Sequence, residues 1–230
     1  MASLIWLGHS AFRLETHTGK HIYIDPFLSH NPKTPEHEKT PERVDYIAIT
    51  HGHGDHVGDA VELSKRFPDA PIICQVELKA WLGKQGANVG PMPGLNKGGS
   101  TTIDGIRFSL TNAFHSSSSD TGEYLGEACG IVVTLEEGMS VYFAGDTCLF
   151  GDMQLIRHIY EPAVACLPIG DYFTMSPAEA AIALDMLNNP LCVPCHWGTF
   201  PLLTGTPEQL QALTEAEVAM IEPGSGVGIG

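Results

Sequence analysis

The sequence predicts a layered α/β protein built from two similar halves. Short β-type runs recur along the whole chain, and each half passes from a β-rich stretch into a strand–helix–strand stretch. In addition, His51, His115, Asp146 and His196 each follow directly on an apolar strand-like run. In layered α/β proteins ligands bind outside the carboxyl ends of strands, so residues far apart in sequence can serve one edge.

The elements follow in order. Leu4 to Leu7, Ala11 to Glu15 and Lys20 to Ile24 alternate with Gly8-His9-Ser10 and His17-Thr18-Gly19, which predicts a meander ended by Asp25-Pro26. Residues 29 to 43 carry Pro32, Pro35 and Pro41 among charges and read as a surface loop, mobile and able to cover a site. A strand over 45 to 49 delivers Thr50-His51-Gly52-His53-Gly54-Asp55-His56, and apolar spacing at Val57, Val61 and Phe67 predicts one helix after it. A strand over 71 to 74, a helix over 77 to 84 and a break at 91 to 94 complete the first half.

In the second half a strand over 106 to 111 leads to His115 and the polar loop Ser116 to Asp120. A hairpin turning at Glu137-Gly138 joins strands over 130 to 135 and 140 to 144, and the second strand ends at Gly145-Asp146-Thr147. After a strand over 163 to 168, Ser176-Pro177 caps a helix reaching about Asn188. The strand over 191 to 195 ends at His196-Trp197-Gly198. A helix over 208 to 216, a strand over 218 to 221 and a Gly-rich tail close the chain.

With 230 residues, 43% of them hydrophobic, the chain has material for a real core, and no convincing linker divides it, so a single domain over 1–230 is expected. No window reaches the ~18 apolar residues of a membrane span, and the N-terminus lacks the basic flank and cleavage site of a signal peptide. A soluble cytoplasmic protein without membrane partner is expected. The net charge of -15 with only 12 Lys and Arg argues against nucleic acid. The six cysteines sit mostly in apolar stretches without a disulfide spacing and read as buried free thiols, and Cys192-Val-Pro-Cys195 as a buried strand rather than a redox or zinc motif.

The turn at 51 to 56 is the chemical centre. Three imidazoles and one carboxylate fall within six positions, separated by glycines that let the backbone fold tightly. His51 and His53 are aimed as one pair and Asp55 and His56 as another, which suits two metals. Imidazole and carboxylate without thiolate favour Zn²⁺, Mn²⁺ or Fe²⁺ and argue against a purely structural zinc. With His115, His196 and a bridging Asp146 there are ligands for two ions. Ions ~3.5–4 Å apart share a water and lower its pKa towards ~7, ready to attack a carbonyl or phosphoryl centre. Hydrolysis of a small-molecule substrate is the expected reaction.

Thr50-His-Gly-His-Gly-Asp-His56, with His115, Asp146 in Ala-Gly-Asp-Thr and His196, resembles the signature of the metallo-β-lactamase fold. Trp6-Leu-Gly-His-Ser-Ala-Phe12 and Asp25-Pro-Phe27 resemble the branch of metal-dependent hydrolases that includes the ascorbate-phosphate lactonases and, more distantly, N-acyl-phosphatidylethanolamine phospholipase D. The resemblance covers nearly the whole chain. It implies a four-layer αββα sandwich of two mixed sheets, with His51, His53 and His115 on one metal, Asp55, His56 and His196 on the other, and Asp146 between them. Some relatives of that branch work with one metal, which implies Asp55 as proton acceptor or shuttle. A carboxylate at 146 differs from the cysteine of the best-known zinc β-lactamases, so antibiotic hydrolysis is not expected. No nuclease or flavodiiron type of extra domain is apparent, which weakens RNA cleavage and oxygen reduction.

Several positions keep two readings. His9 suits a hydrogen-bond donor to substrate, and so a catalytic role beside Asp55, a support for a metal ligand, or a structural histidine. Asp25 suits the orientation of a metal-bound histidine or the start of a turn. Ser116 to Ser119 suit a phosphate or sugar site or a solvated loop. Trp197, Phe200, Tyr172 and Phe173 suit a pocket wall or the core. The function expected is hydrolysis of an ester or lactone bond. A phosphodiesterase of the same fold and a non-catalytic metal-binding regulator are the alternatives, and a homo-oligomer is an open possibility.

Overall fold

The computed structural model describes residues 1–230. The strands and helices of the first half are β1 Ala2–Gly8, β2 Ala11–Glu15, β3 His21–Ile24, β4 Tyr46–Ala48, α1 Gly54–Val57, α2 Ala60–Arg66, β5 Ile72–Ile73 and α3 Val76–Lys84. There follow β6 Ser100–Ile103, β7 Ile106–Asn112, β8 Cys129–Thr134, β9 Ser140–Phe143, α4 Met153–Tyr160, β10 Val164–Pro168, α5 Pro177–Met186, β11 Leu191–Cys195, α6 Pro207–Gln211 and β12 Gly226–Ile229. They divide into two compact units: Met1–Asn96 with Ser116–Glu127 and Ile221–Gly230, and Lys97–His115 with Ala128–Met220.

In the first unit the strand order is β12-β1-β2-β3-β4-β5, antiparallel from β12 to β3 and parallel from β3 to β5. The meander forms as its alternation predicts. One face of the sheet, with Leu7, Tyr23, Ile47 and Ile72, packs with Val57, Ala60, Leu63, Leu78 and Leu82 of the helices. Residues of opposite parity such as Leu4, Trp6, Phe12 and Ile22 are equally buried. This two-sided burial is why β1 reads as a continuous apolar run rather than an alternating one.

The second unit repeats the plan. Its order is β6-β7-β8-β9-β10-β11, antiparallel from β6 to β9 and parallel from β9 to β11. Tyr142, Ala165, Leu167 and Cys192 of the sheet form a core with Met153, Ile156, Ala180, Leu184 and Leu210 of the helices. Helix α5 starts as expected: Ser176 accepts from the Glu179 amide while the Glu179 carboxylate accepts from the Ser176 amide, with Pro177 in the first turn. The two sheets thus have the same pairing sequence, except that the first takes its outermost strand from the C-terminus.

The structure corrects several expectations. The Gly-rich tail is β12, paired antiparallel with β1. Glycines hid it from propensity, yet they let the strand lie close over the backbone of Leu4. The stretch 218 to 221 forms a single parallel bridge, Cys192 with Val218, rather than a strand. Strand β6 went unseen because its Ser-Thr-Thr sequence is that of an exposed edge, and α4 because its short apolar stripe at Met153 and Ile156 follows a loop.

The loop over 29 to 43 is tied to the first strands by side-chain contacts of Asn31, Thr34 and Glu38. Asn31 donates to the carbonyl oxygens of Gly8 and Phe27, Thr34 donates to that of Leu7, and Glu38, on a 3-10 turn, pairs with Arg13. Burial is the largest influence on Arg13 and works against its charge, but Glu38 and Tyr23 together outweigh it and raise the guanidinium pKa. All six cysteines are free and only Cys148 is exposed; burial pushes the Cys74 and Cys192 thiols up to about 12. No helix is long and apolar enough to cross a membrane.

The helix expected over 57 to 67 is two helices, α1 and α2, broken at Gly58. Its φ of 44° lies in the left-handed region, and a Cβ there would collide with the Pro26 carbonyl and the Phe27 backbone. Asp59 completes the break by accepting from the amides of Leu28 and Ser29. Gly58→Ala is expected to cost about 2–4 kcal/mol through strain and collision together, read as a fall in melting temperature of about 5–15 °C. An unchanged melting temperature would contradict this role for Gly58.

Candidate metal centre

In the first unit the histidine turn hangs from one buried carboxylate. Asp25, the first residue after β3, adopts φ 46°, which turns its side chain towards the end of β4. Its Oδ1 accepts from the Thr50 amide at 2.8 Å and its Oδ2 from the Thr50 hydroxyl at 2.7 Å. The same Oδ2 lies 2.7 Å from Nδ1 of His56. An ionised carboxylate is acceptor only, so His56 carries its proton on Nδ1 and presents Nε2 as the lone-pair nitrogen. The Thr50 hydroxyl spends its proton on Asp25, and its oxygen therefore accepts from His51 Nδ1 at 3.0 Å. One aspartate thus sets the tautomers of two histidines, directly for His56 and through Thr50 for His51.

His53 caps α1 from outside, and the amides of His56 and Val57 donate to its carbonyl oxygen. This one-turn helix separates the residues into the two expected pairs. His51 Nε2 and His53 Nδ1 face each other at 3.0 Å. Neighbouring nitrogens on one tetrahedral zinc with Zn–N bonds of ~2.0–2.1 Å stand about 3.3 Å apart, so this pair fits a shared ion. Asp55, on the other side, has one oxygen 2.9 Å from Nε2 of His9. His9 is fully buried, sits at φ 54° just after β1, and its carbonyl oxygen accepts from the Trp6 indole. The His9 ring therefore meets the carboxylate of the turn.

The serine loop belongs to the same unit and buttresses the turn. Ser117, nearly buried, accepts from the Gly52 amide at 3.1 Å. Gly52 has no room for a side chain because Leu125 packs on its α-carbon. Ser116 Oγ lies 3.3 Å from His53 Nε2, and Ser119 accepts from the Glu123 amide, closing a small hairpin bridged at Ser118 and Tyr124. The hydroxyls of Ser116, Ser117 and Ser119 thus meet groups of the same unit.

In the second unit, three side chains converge. His196 Nε2 lies 3.0 Å and His115 Nε2 3.5 Å from the same Asp146 oxygen. Asp146 and His196 are buried, each just beyond the end of its strand, β9 and β11 respectively, and His196 takes φ 53°. Thr147 fixes this corner by accepting from the Phe114 amide. Two imidazoles and a carboxylate, without a Lys or Arg among them, form a donor set suited to a divalent cation.

The aromatic residues left open divide clearly. Trp197 packs against the core, its indole donating to the Pro194 carbonyl. Tyr172, Phe173 and Phe200 are exposed. Two roles lie beyond the sequence reading: the Thr50 hydroxyl relays Asp25 to His51, and Ser117 holds the Gly52 amide. The legible signal for Thr50 was a hydroxyl at the end of an apolar strand immediately before a ligand.

This fold, two mixed sheets flanked by helices with histidines and aspartates after the strands, is the metallo-β-lactamase fold. A family model described as a beta-lactamase superfamily domain matches residues 20–197, and so spans parts of both units. A relative from Koribacter versatilis is 43% identical over 96% of this chain and 95% of its own, and one from Herpetosiphon aurantiacus is 45% identical over 91% and 88%. Both are described as UPF0173 metal-dependent hydrolases. Among solved structures, Igni18, described as a novel metallo hydrolase from Ignicoccus hospitalis, is similar with a TM-score of 0.85 at 34% identity, covering 98% of this chain and 97% of that one. The chain belongs to the β-lactamase superfamily and, within it, to the UPF0173 family of metal-dependent hydrolases.

Asp25→Ala is expected to weaken divalent-metal affinity about 10–100-fold, because His51 and His56 lose the partners that orient them. Calorimetric titration with Zn²⁺ or Mn²⁺ reads this. Undiminished affinity in a folded Asp25→Ala protein would show that the carboxylate serves only the backbone turn.

Proposed function

We propose that this metal-dependent hydrolase cleaves an ester or lactone bond of a small, uncharged metabolite. Its ligands would be His51, His53, Asp55, His56, His115, Asp146 and His196, holding one or two divalent ions, Zn²⁺ first and Mn²⁺ or Fe²⁺ next. The family membership, the thiolate-free donor set and the placement of His51, His115, Asp146 and His196 after strands support this set. A divalent ion in such a set acidifies water and withdraws charge from a carbonyl oxygen.

The observation that carries the choice of bond is the charge of the loops. The segments that leave the ligand-bearing strands, residues 9–10, 25–35, 49–59, 113–128, 144–152, 169–176 and 196–206, contain a single Lys or Arg, Lys33. Recognition of a phosphoryl group draws on arginine forks, lysines or unspent backbone amides. The serine loop, the remaining candidate for that role, spends Ser117 and Ser119 internally. A neutral carbonyl substrate makes no such demand, which favours an ester or lactone over a phosphodiester.

The protein's own groups divide the work. His9 donates to one Asp55 oxygen and fixes the carboxylate, whose side chain is still 30% exposed. Asp55 then either completes a two-ion ligand set or, where one ion is bound, accepts the proton of the attacking water and passes it to the leaving oxygen. Asp25 keeps His51 and His56 in the tautomers that ligation needs. The six free thiols suit a reducing cytoplasm.

The metal-loaded protein should hydrolyse members of a panel of aryl esters and γ- and δ-lactones faster than any aryl phosphodiester. Activity should vanish on chelation and return with added metal. Asp55→Asn should lower kcat/KM about 10²-fold or more. A preference for the phosphodiester would overturn the ester reading.

A further inference from the structure

We infer that the substrate carries an apolar acyl or aryl group, and that this group is held by an exposed hydrophobic rim on the two loops flanking His196. The inference rests on the ester or lactone reading above and specifies the part of the substrate that does not react.

The rim lies within the second unit. The loop after β10 carries Tyr172 and Phe173, and the loop after β11, which begins at His196, carries Phe200 and Leu202. The two loops are joined: Asp171 bridges Leu203, and the Thr204 amide donates to the Gly170 carbonyl oxygen. Their strands are parallel neighbours, with the Ile169 amide on the Cys195 carbonyl oxygen just before His196. The apolar side chains therefore belong to the same end of the sheet as the His196 and Asp146 pair.

Exposure gives the rim its meaning. Tyr172 is 66% exposed, Phe173 50%, Phe200 39% and Leu202 50%, while the next residue, Leu203, is buried. Single exposed apolar residues are ordinary, but a group of four on adjoining loops beside candidate ligands is not. Tyr172 and Phe173 stack edge to face at 4.7 Å, which fixes a surface before any ligand arrives. Neither loop holds a Lys or Arg. Apart from the carboxylate of Asp171, the chemistry presented is apolar and without positive charge, the kind that takes an alkyl chain or ring and gives no grip on an anionic group.

The test separates this inference from the ester reading by using ligands that need no turnover. A series of neutral linear amides from butanamide to octanamide is titrated calorimetrically into the parent protein and into Phe173→Ser, Tyr172→Ser and Phe200→Ser variants. All three changes are at exposed positions, and circular dichroism checks the fold. Partial burial at a rim predicts affinity rising about twofold per methylene in the parent, half the free-energy step of full burial. That slope should flatten in each variant. Equal slopes in parent and variants, or no length dependence at all, overturns the rim, whatever esters the protein cleaves. Light scattering on the same samples covers the other occupant: a parent dimer that the serine variants dissolve would make the patch a self-association surface and would also overturn the inference. Absence of ester and lactone hydrolysis by the metal-loaded parent, with the amide slope intact, would instead overturn the ester reading alone.

Discussion

The candidate site depends on the Asp25 carboxylate. It is buried, it is acceptor only, and every proton it meets belongs to the histidine turn or the threonine before it. A buried carboxylate is costly unless its oxygens are filled. Here the filling groups are the Thr50 amide, the Thr50 hydroxyl and the His56 ring. The same bonds satisfy the charge, anchor the end of β4 and decide which nitrogens of His51 and His56 are left to ligate. Its left-handed backbone is the local cost, and it shares that conformation with His9 and His196, each at the end of a strand.

Around that constraint the fold supplies repetition. Two sheets with the same pairing sequence each place ligand-type residues after their strands: His9, Asp25 and the histidine turn in one, His115, Asp146 and His196 in the other. The candidate ligands lie on the turns after the strands and on α1, and the serine hairpin and the segment over 29 to 43 are tied to the fold by hydrogen bonds.

Much of this was legible in the sequence, for identifiable reasons. The histidine turn was visible because ligands and glycines are contiguous there, and His115, Asp146 and His196 because each interrupts the end of an apolar run. The capping box at Ser176 is a local signal and was read correctly. The losses came where tertiary packing overrides local pattern. Gly58 breaks a helix that apolar spacing predicts to be continuous, because Pro26 and Phe27 pass too close. The glycine tail becomes a strand only because β1 offers it an edge. Strand β6 was too polar to be noticed. The role of Ser117 depends on a partner 65 residues away, a relation no local spacing encodes. Trp197 and Phe200, three residues apart, were indistinguishable in sequence; the fold alone sends one inward and leaves the other exposed.

The central claim is that the histidines and aspartates placed after the strands of each unit are ligands of a divalent metal. It is tested most directly by elemental analysis of protein purified without added metal, for the parent and for the His51→Ala and His196→Ala variants. The account predicts one or two divalent ions per parent chain and a loss of metal in both variants. Full metal content in either variant, or a parent that retains none even after incubation with Zn²⁺, Mn²⁺ or Fe²⁺, would contradict it.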